Sequence, residues 1–199
     1  MVQTETKQID TEKIKQLTRE FLVALGDDPD REGLKETPNR VSRMCTEIFE
    51  GMTHTNDEIA DMFNTCFEDV ESGNLVVESY IPIHSFCEHH LMLIYDAYVS
   101  IGYIPKDRVI GLSKLGRISE MVGKRLQLQE RIGSDIADIL EKILGTNDII
   151  VVVEGKHGCM TARGIKSREA ITRTATIRGR FQFDSDLRSE FYSLINLNK

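Results

Sequence analysis

Residues 75–104 read LVVESYIPIHSFCEHHLMLIYDAYVSIGYI, two runs rich in β-branched and aromatic residues joined by a short polar junction. Leu75 to Ser85 and Leu91 to Ile104 are expected to be strands. The junction, Ser85-Phe86-Cys87-Glu88-His89-His90, is then a tight turn that aims several side chains at one point. Pro105-Lys106-Asp107 breaks the second strand. Ser113 to about Leu126 reads as a helix with Ile118, Met121 and Val122 inward. A second helix follows from about Gln129 to Leu144, where Ile132, Ile136, Ile139, Leu140 and Ile143 form a wide apolar stripe and Gly145 caps the end.

The β-branched run Ile149 to Val153 fits a buried strand that delivers His157 and Cys159. Ala170 to Phe183 alternates, with Thr172, Thr174 and Thr176 on one face, and reads as a fourth strand. Leu187 to Ile195 reads as a closing helix. The order strand-strand-helix-helix-strand-strand predicts an α+β fold, an antiparallel sheet covered by helices on one face. Two open sheet edges are a liability for a lone monomer, so a homo-oligomer that closes several such sheets into a barrel is expected.

Upstream, residues 10 to 25 read as an amphipathic helix through Ile14, Leu17, Phe21, Leu22 and Leu25, stopped by Gly26. A polar link covers Asp27 to Gly33. Thr37 before Pro38 reads as an N-cap with proline at the first helical position. Val41, Met44, Ile48 and Phe49 give the second helix its apolar face. The segment from Asn56 to Glu71 is ambiguous and fits a third short helix. Residues 1–73 are therefore expected to form an N-terminal helical segment, and 74–199 the domain built on the sheet.

With 199 residues, 40% hydrophobic and 29% charged, the chain has the composition of a globular protein with a sizeable core. No apolar run is long enough to span a membrane, and Met1-Val2-Gln3-Thr4-Glu5 has no signal-peptide core. A formal charge of −7, from 32 acidic and 25 basic residues, argues against a general nucleic-acid binder. The cations nevertheless crowd the second half, which suggests a small anionic ligand. Four cysteines without a secretory signal point to a reducing compartment and to metal binding rather than disulfides. Cys87 and His90 have Cys-x-x-His spacing, and Cys159 can supply a third ligand from the second cluster. Thiolate and imidazole suit zinc, and three protein ligands leave a fourth position for water. The same residues could instead close a structural site with His157 or His89 as fourth ligand. Cys45 and Cys66, in apolar surroundings, read as buried thiols.

Cys87-Glu-His-His, Tyr103-Ile-Pro-Lys-Asp107, Gly111-Leu-Ser-Lys114, Gln129-Glu-Arg131 and His157-x-Cys159-x-x-x-Arg163-Gly164, in that order, strongly resemble GTP cyclohydrolase I over roughly residues 75–195. Thr37-Pro-Asn-Arg-Val41 fits that family's N-terminal helix. The resemblance implies the T-fold, in which such units close into a barrel, as a cytoplasmic toroidal homodecamer with sites between subunits. It implies conversion of GTP and water to 7,8-dihydroneopterin triphosphate and formate, the entry step to folate and, in animals, to tetrahydrobiopterin.

It further implies a catalytic zinc held by Cys87, His90 and Cys159. His157 would protonate guanine N7 as water attacks C8, with His89 and Ser113 moving protons at the ribose. Glu130 would accept from the guanine N1–H and exocyclic amine, and Gln129 would add a contact by side chain or backbone. Lys114, Arg117 and Arg163 would hold the triphosphate, joined by Arg40. Plainer roles remain open: either histidine could orient metal ligands, and Glu130 could cap its helix. Gly158 stands where a larger residue is common, so only the shape of that turn departs from the family pattern. The competing readings are another T-fold enzyme, either a cyclohydrolase that stops at formate or a nitrile reductase with a cysteine nucleophile, and a zinc-stabilised nucleotide-binding protein without catalysis.

Overall fold

The computed structural model describes residues 8–68 and 73–197; the readings made for residues 1–5 and 69–71 fall outside them. The chain divides into two compact units between His54 and Thr55.

In the first unit, α1 (Thr11–Ala24) packs on α2 (Thr37–Ile48), which runs into a single 3-10 turn at Glu50–Thr53. Asp10 caps α1 by accepting from the Lys13 backbone N–H at 2.9 Å. The link between the helices carries two ion pairs, Arg19–Asp30 and Arg31–Asp27. Both are exposed and add little stability. Thr37 is not the N-cap expected of it. The backbone already turns at Glu36 (φ −94°, ψ −4°), which takes the cap position without a side-chain bond, and Thr37 lies inside the helix with Pro38 in the first turn. A cap side chain reaches the helix amides from an extended backbone, which neither residue has here.

The second unit begins with α3 (Asn56–Met62), capped by a reciprocal Thr55–Glu58 box. The ambiguous segment thus holds one short helix, followed by β1 (Cys66–Glu68). Next come β2 (Val76–Cys87), β3 (Met92–Tyr103), β4 (Arg108–Ile110), α4 (Leu112–Gly123), β5 (Leu126–Gln127), α5 (Gln129–Leu144), β6 (Ile149–His157), α6 (Gly158–Thr161), β7 (Thr172–Ile177) and α7 (Ser185–Ile195). β1 and β4 form a small antiparallel ribbon. The main sheet has the order β5-β2-β3-β6-β7, antiparallel except for a short parallel pairing of β5 with the end of β2.

Strand alternation divides the apolar residues between two faces. Ile149, Val151 and Val153 point into the core under α4 and α5, with Ile118, Val122, Ile132, Ile136 and Leu140 opposite. Ile150 and Val152 point the other way, onto Phe181, Leu187 and Phe191. Helices were expected on one face, but α7 covers part of the second. Gly102 permits this, because a Cβ there would lie 2.6 Å from the Phe191 ring. The last strand is also shorter than its alternation suggested: β7 ends at Ile177 and Gly179–Gln182 forms a 3-10 turn.

Two bulges set which side chains face the core. β3 gains a residue around Asp96, whose φ is +48°, against both of its neighbours. Ala97, Val99 and Ile101 face the core, and so does even-numbered Ile94, because the extra residue resets the alternation. A second bulge in β2 surrounds Tyr80, at φ +57°. Among the described residues no helix is long and apolar enough to cross a membrane.

Buried polar bonds fasten β5 to α5. The Asp135 carboxylate accepts from Arg125 at 3.0 Å, Gln127 at 2.9 Å and Asn56 at 3.2 Å. Arg125 and Asp135 keep only 13% and 15% of their side-chain surface exposed. Asp135→Ala is therefore expected to cost about 3 kcal/mol by removing the carboxylate that balances the buried Arg125 charge; the midpoint of urea unfolding measures it, and a shift below about 1 kcal/mol would show that the carboxylate is dispensable.

Candidate active site

β2 and β6 pair with opposite sides of β3, and their ladders line up. Ser85 and His157 both lie opposite Ile94, while Cys87 lies opposite Met92. The end of β2 and the end of β6 therefore arrive at one edge of the sheet, and the two half-motifs meet there. Cys87 Sγ, Cys159 Sγ and a ring nitrogen of His157 all lie within 4.8 Å of one another. Cys87 is buried, and Cys159, in the one-turn α6, is half-buried. α6 is seated closely: a Cβ on Gly158 would come 3.1 Å from the Leu93 carbonyl oxygen.

The chemistry of this donor set suits a thiophilic divalent cation such as zinc. Burial pushes the Cys159 thiol above its ordinary value, as do the charge and the hydrogen bond of Cys87 beside it; Arg163 pulls the other way. Two adjacent thiols cannot both ionise cheaply without a cation between them. Burial likewise raises Cys45 and Cys66, which are half-buried and take no part in the group.

His89 and His90 occupy the exposed turn between β2 and β3, which is closed by the Leu91 N–H to the Cys87 carbonyl at 2.9 Å. His90, expected as the third ligand, accepts a hydrogen bond at Nε2 from Arg163 Nη1 at 2.8 Å. A neutral imidazole has one lone pair, so His90 can join a metal only after Arg163 lets it go. The nitrogen gathered with the two sulfurs is that of His157 instead.

α5 brings its first turn to the same place. Gln129 Oε1 lies 2.8 Å from His157 Nε2. Glu130 is exposed and acts on His157 through its charge: burial lowers the imidazole below its ordinary value, and the Glu130 carboxylate partly offsets this. No side chain caps α5, and Glu130 forms no hydrogen bond or ion pair among the described residues. Its neighbour Arg131 pairs with Glu88 at 2.8 Å, tying the Cys-Glu-His-His turn to the helix. Only the charges at Glu88 and Arg131, one in each motif, hinted at that tie in the sequence.

Ser113, Lys114 and Arg117 are not brought to this edge. Ser113 and Lys114 lie in the first turn of α4, at the end held by the Gly111 N–H to the Thr65 carbonyl, and Arg117 lies midway along it, whereas Gly123, at the other end, packs on the backbone of His84. The rise of a helix places Ser113 about 15 Å along the axis from Gly123. Arg40 stands exposed on α2 of the first unit. A polar cavity of about 790 Å³, lined by Lys106, Asp107, Asp148 and Arg180, opens at the opposite end of the strands, where Tyr103 pairs with Ile149. Neither cysteine nor histidine lines it, in contrast to the Cys87 end.

The family model described as GTP cyclohydrolase I matches residues 14–196. The chain is 56% identical to a protein named GTP cyclohydrolase 1 from Clostridium beijerinckii, over 92% of this chain and 96% of that one. A protein of the same name from Clostridium acetobutylicum is 54% identical, over 94% and 97%. A third, from Clostridium botulinum strain Kyoto, is 56% identical, over 88% and 92%. Membership extends through both units and covers every residue of the cluster: the chain belongs to the GTP cyclohydrolase I family.

Proposed function

We propose that this chain converts GTP and water to 7,8-dihydroneopterin triphosphate and formate, with zinc held by Cys87, His90 and Cys159. The observation that carries the reading is the meeting of two thiols and an imidazole with the start of α5, at one edge of the sheet, in a member of this family. A zinc ion bound there would supply Lewis acidity toward water beside C8 of the base.

The other roles fall to side chains of the chain. The Glu130 carboxylate accepts from the guanine N1–H and 2-amino group, donors that adenine lacks at those positions, and its lack of a hydrogen bond or ion pair among the described residues suits the task. His157 gives a proton to N7 as C8 is attacked. Because burial holds the ring below its ordinary value, its protonated form parts with that proton readily. Once the base has lost formate, His89 and Ser113 move the protons that open and rearrange the ribose. Arg163 pairs with the triphosphate, where a guanidinium meets phosphate oxygens two at a time.

Ser113 and Lys114 stand in the turn of α4 far from the thiols, so in this reading they, and Arg117 with them, serve the site of a neighbouring copy. That supports a homo-oligomer with sites between subunits, for which a toroidal decamer is the proposed form. Incubating zinc-loaded protein with GTP should yield formate and the pterin in equal amounts. Bound zinc and bound GTP with neither product would overturn the reading and leave a binding protein.

A second assignment of the third ligand is favoured by one observation, the closeness of His157 to both sulfurs. Metal content after dialysis separates the two. If His90 is the ligand, His90→Ala loses zinc, whereas His157→Ala keeps it and loses turnover. The reverse pattern of metal retention would make His157 the ligand. For the triphosphate, Arg163→Ala is expected to raise the KM for GTP about tenfold or more, the usual loss for a charged hydrogen bond, with a smaller effect on kcat. Steady-state kinetics would exclude the role if KM stayed unchanged.

A further inference from the structure

Gln129 is the first residue of α5, and its side chain is almost wholly enclosed, with 2% of the residue exposed. Its amide nitrogen donates to the carbonyl oxygens of Val153 on β6 and Thr172 on β7, each at 3.0 Å. Both amide hydrogens are thereby used. Turning the amide over would press its oxygen against two buried carbonyl oxygens and leave all three without donors, a loss of the kind interiors avoid. The orientation is therefore fixed, and Oε1, which can only accept, lies 2.8 Å from Nε2 of His157. That contact is a hydrogen bond only if Nε2 carries a hydrogen. A neutral imidazole holds one N–H and one lone pair, so the lone pair is then on Nδ1.

We infer that Gln129 is a positioning residue that holds His157 as its Nε2–H tautomer, so that any proton His157 exchanges with a substrate, and any lone pair it offers a metal, passes through Nδ1. The consequence for turnover rests on the proposed GTP reaction, while the tautomer stands on the hydrogen bonds alone. The Gln129 side chain has no N–H left for a purine, so it serves the histidine and not the base. The anchoring is rigid because one amide joins a helix start to two neighbouring strands. The ring inherits a fixed direction from three elements at once.

Metal-free protein labelled with ¹⁵N-histidine tests the assignment directly. Long-range ¹H–¹⁵N spectra distinguish a protonated ring nitrogen from a bare one, and His157→Gln identifies the signals. The expected result for the neutral ring is N–H at Nε2 and a bare Nδ1. The opposite tautomer, or an even mixture, would overturn the inference, and this reading needs no change at Gln129. Kinetics supply a second test: Gln129→Met should lower kcat about 10–100-fold, the range seen when a supporting hydrogen bond is lost, with the KM for GTP held within about twofold. A raised KM with kcat preserved would place the side chain on the substrate and overturn the inference. Should Gln129→Met fail to fold, as judged by circular dichroism, the tautomer spectrum decides. An Nε2–H tautomer in wild-type protein that makes no formate from GTP would support the positioning and sink only the reaction.

Discussion

The site depends on the hydrogen-bond ladder through β3. β2 and β6 never touch each other in the sheet, yet each is registered to the same central strand, with Ser85 and His157 both opposite Ile94. Neighbouring strands lie about 4.8 Å apart, so two flanking strands are about 10 Å apart. Side chains leaning inward from both can close that gap. The thiol of Cys87 and the imidazole of His157 reach one point for this reason, although their positions in the chain are far apart. The α4–α5 core then fixes the sheet from behind, and the Asp135 network holds β5 against the end of β2.

Charge is arranged around this point more tightly than net charge suggests. The chain carries −7 overall, yet within the cluster the Arg163 charge acts on Cys159 and the Glu130 charge on His157. Burial and the neighbouring Cys87 make the Cys159 thiol resist ionisation, and the Arg163 guanidinium works in the other direction. The same guanidinium occupies His90. Short-range geometry, and not the balance of the whole chain, governs what this edge can bind.

Much of this was legible in the sequence. The paired runs at 75–104 and the stripe from Ile132 to Ile143 became β2, β3 and α5, since long periodic patterns survive tertiary packing. The clusters around Cys87 and Cys159 announced a shared site. What stayed hidden was set by contacts between distant segments. β1, β4 and β5 are two or three residues long and exist only because a partner is present. α7 reached the second face because Gly102 left room for Phe191 beside Ile150, which no periodicity in α7 reveals. Thr37 has the chemistry of a cap, but the preceding turn had already set a helical backbone. Gln129 looked like a base-reading residue, and only the carbonyls of Val153 and Thr172 show that its amide is spent.

The bulge at Asp96 acts on the strand as a frameshift acts on a message. An L-residue at φ +48° is an uncommon conformation, and keeping it costs about 1–2 kcal/mol. In return Ile94 faces inward along with Ala97 and Val99. Excising one residue there would spare most ladder bonds and still turn the leading end of β3 inside out. To keep Ile94 buried, the leading end of β3 would have to slip by one step against both neighbours, so that Cys87 and His157 would stay level with each other but face different β3 side chains. What lies beneath the two half-motifs is thus set by a single surplus residue on a strand that contributes no ligand.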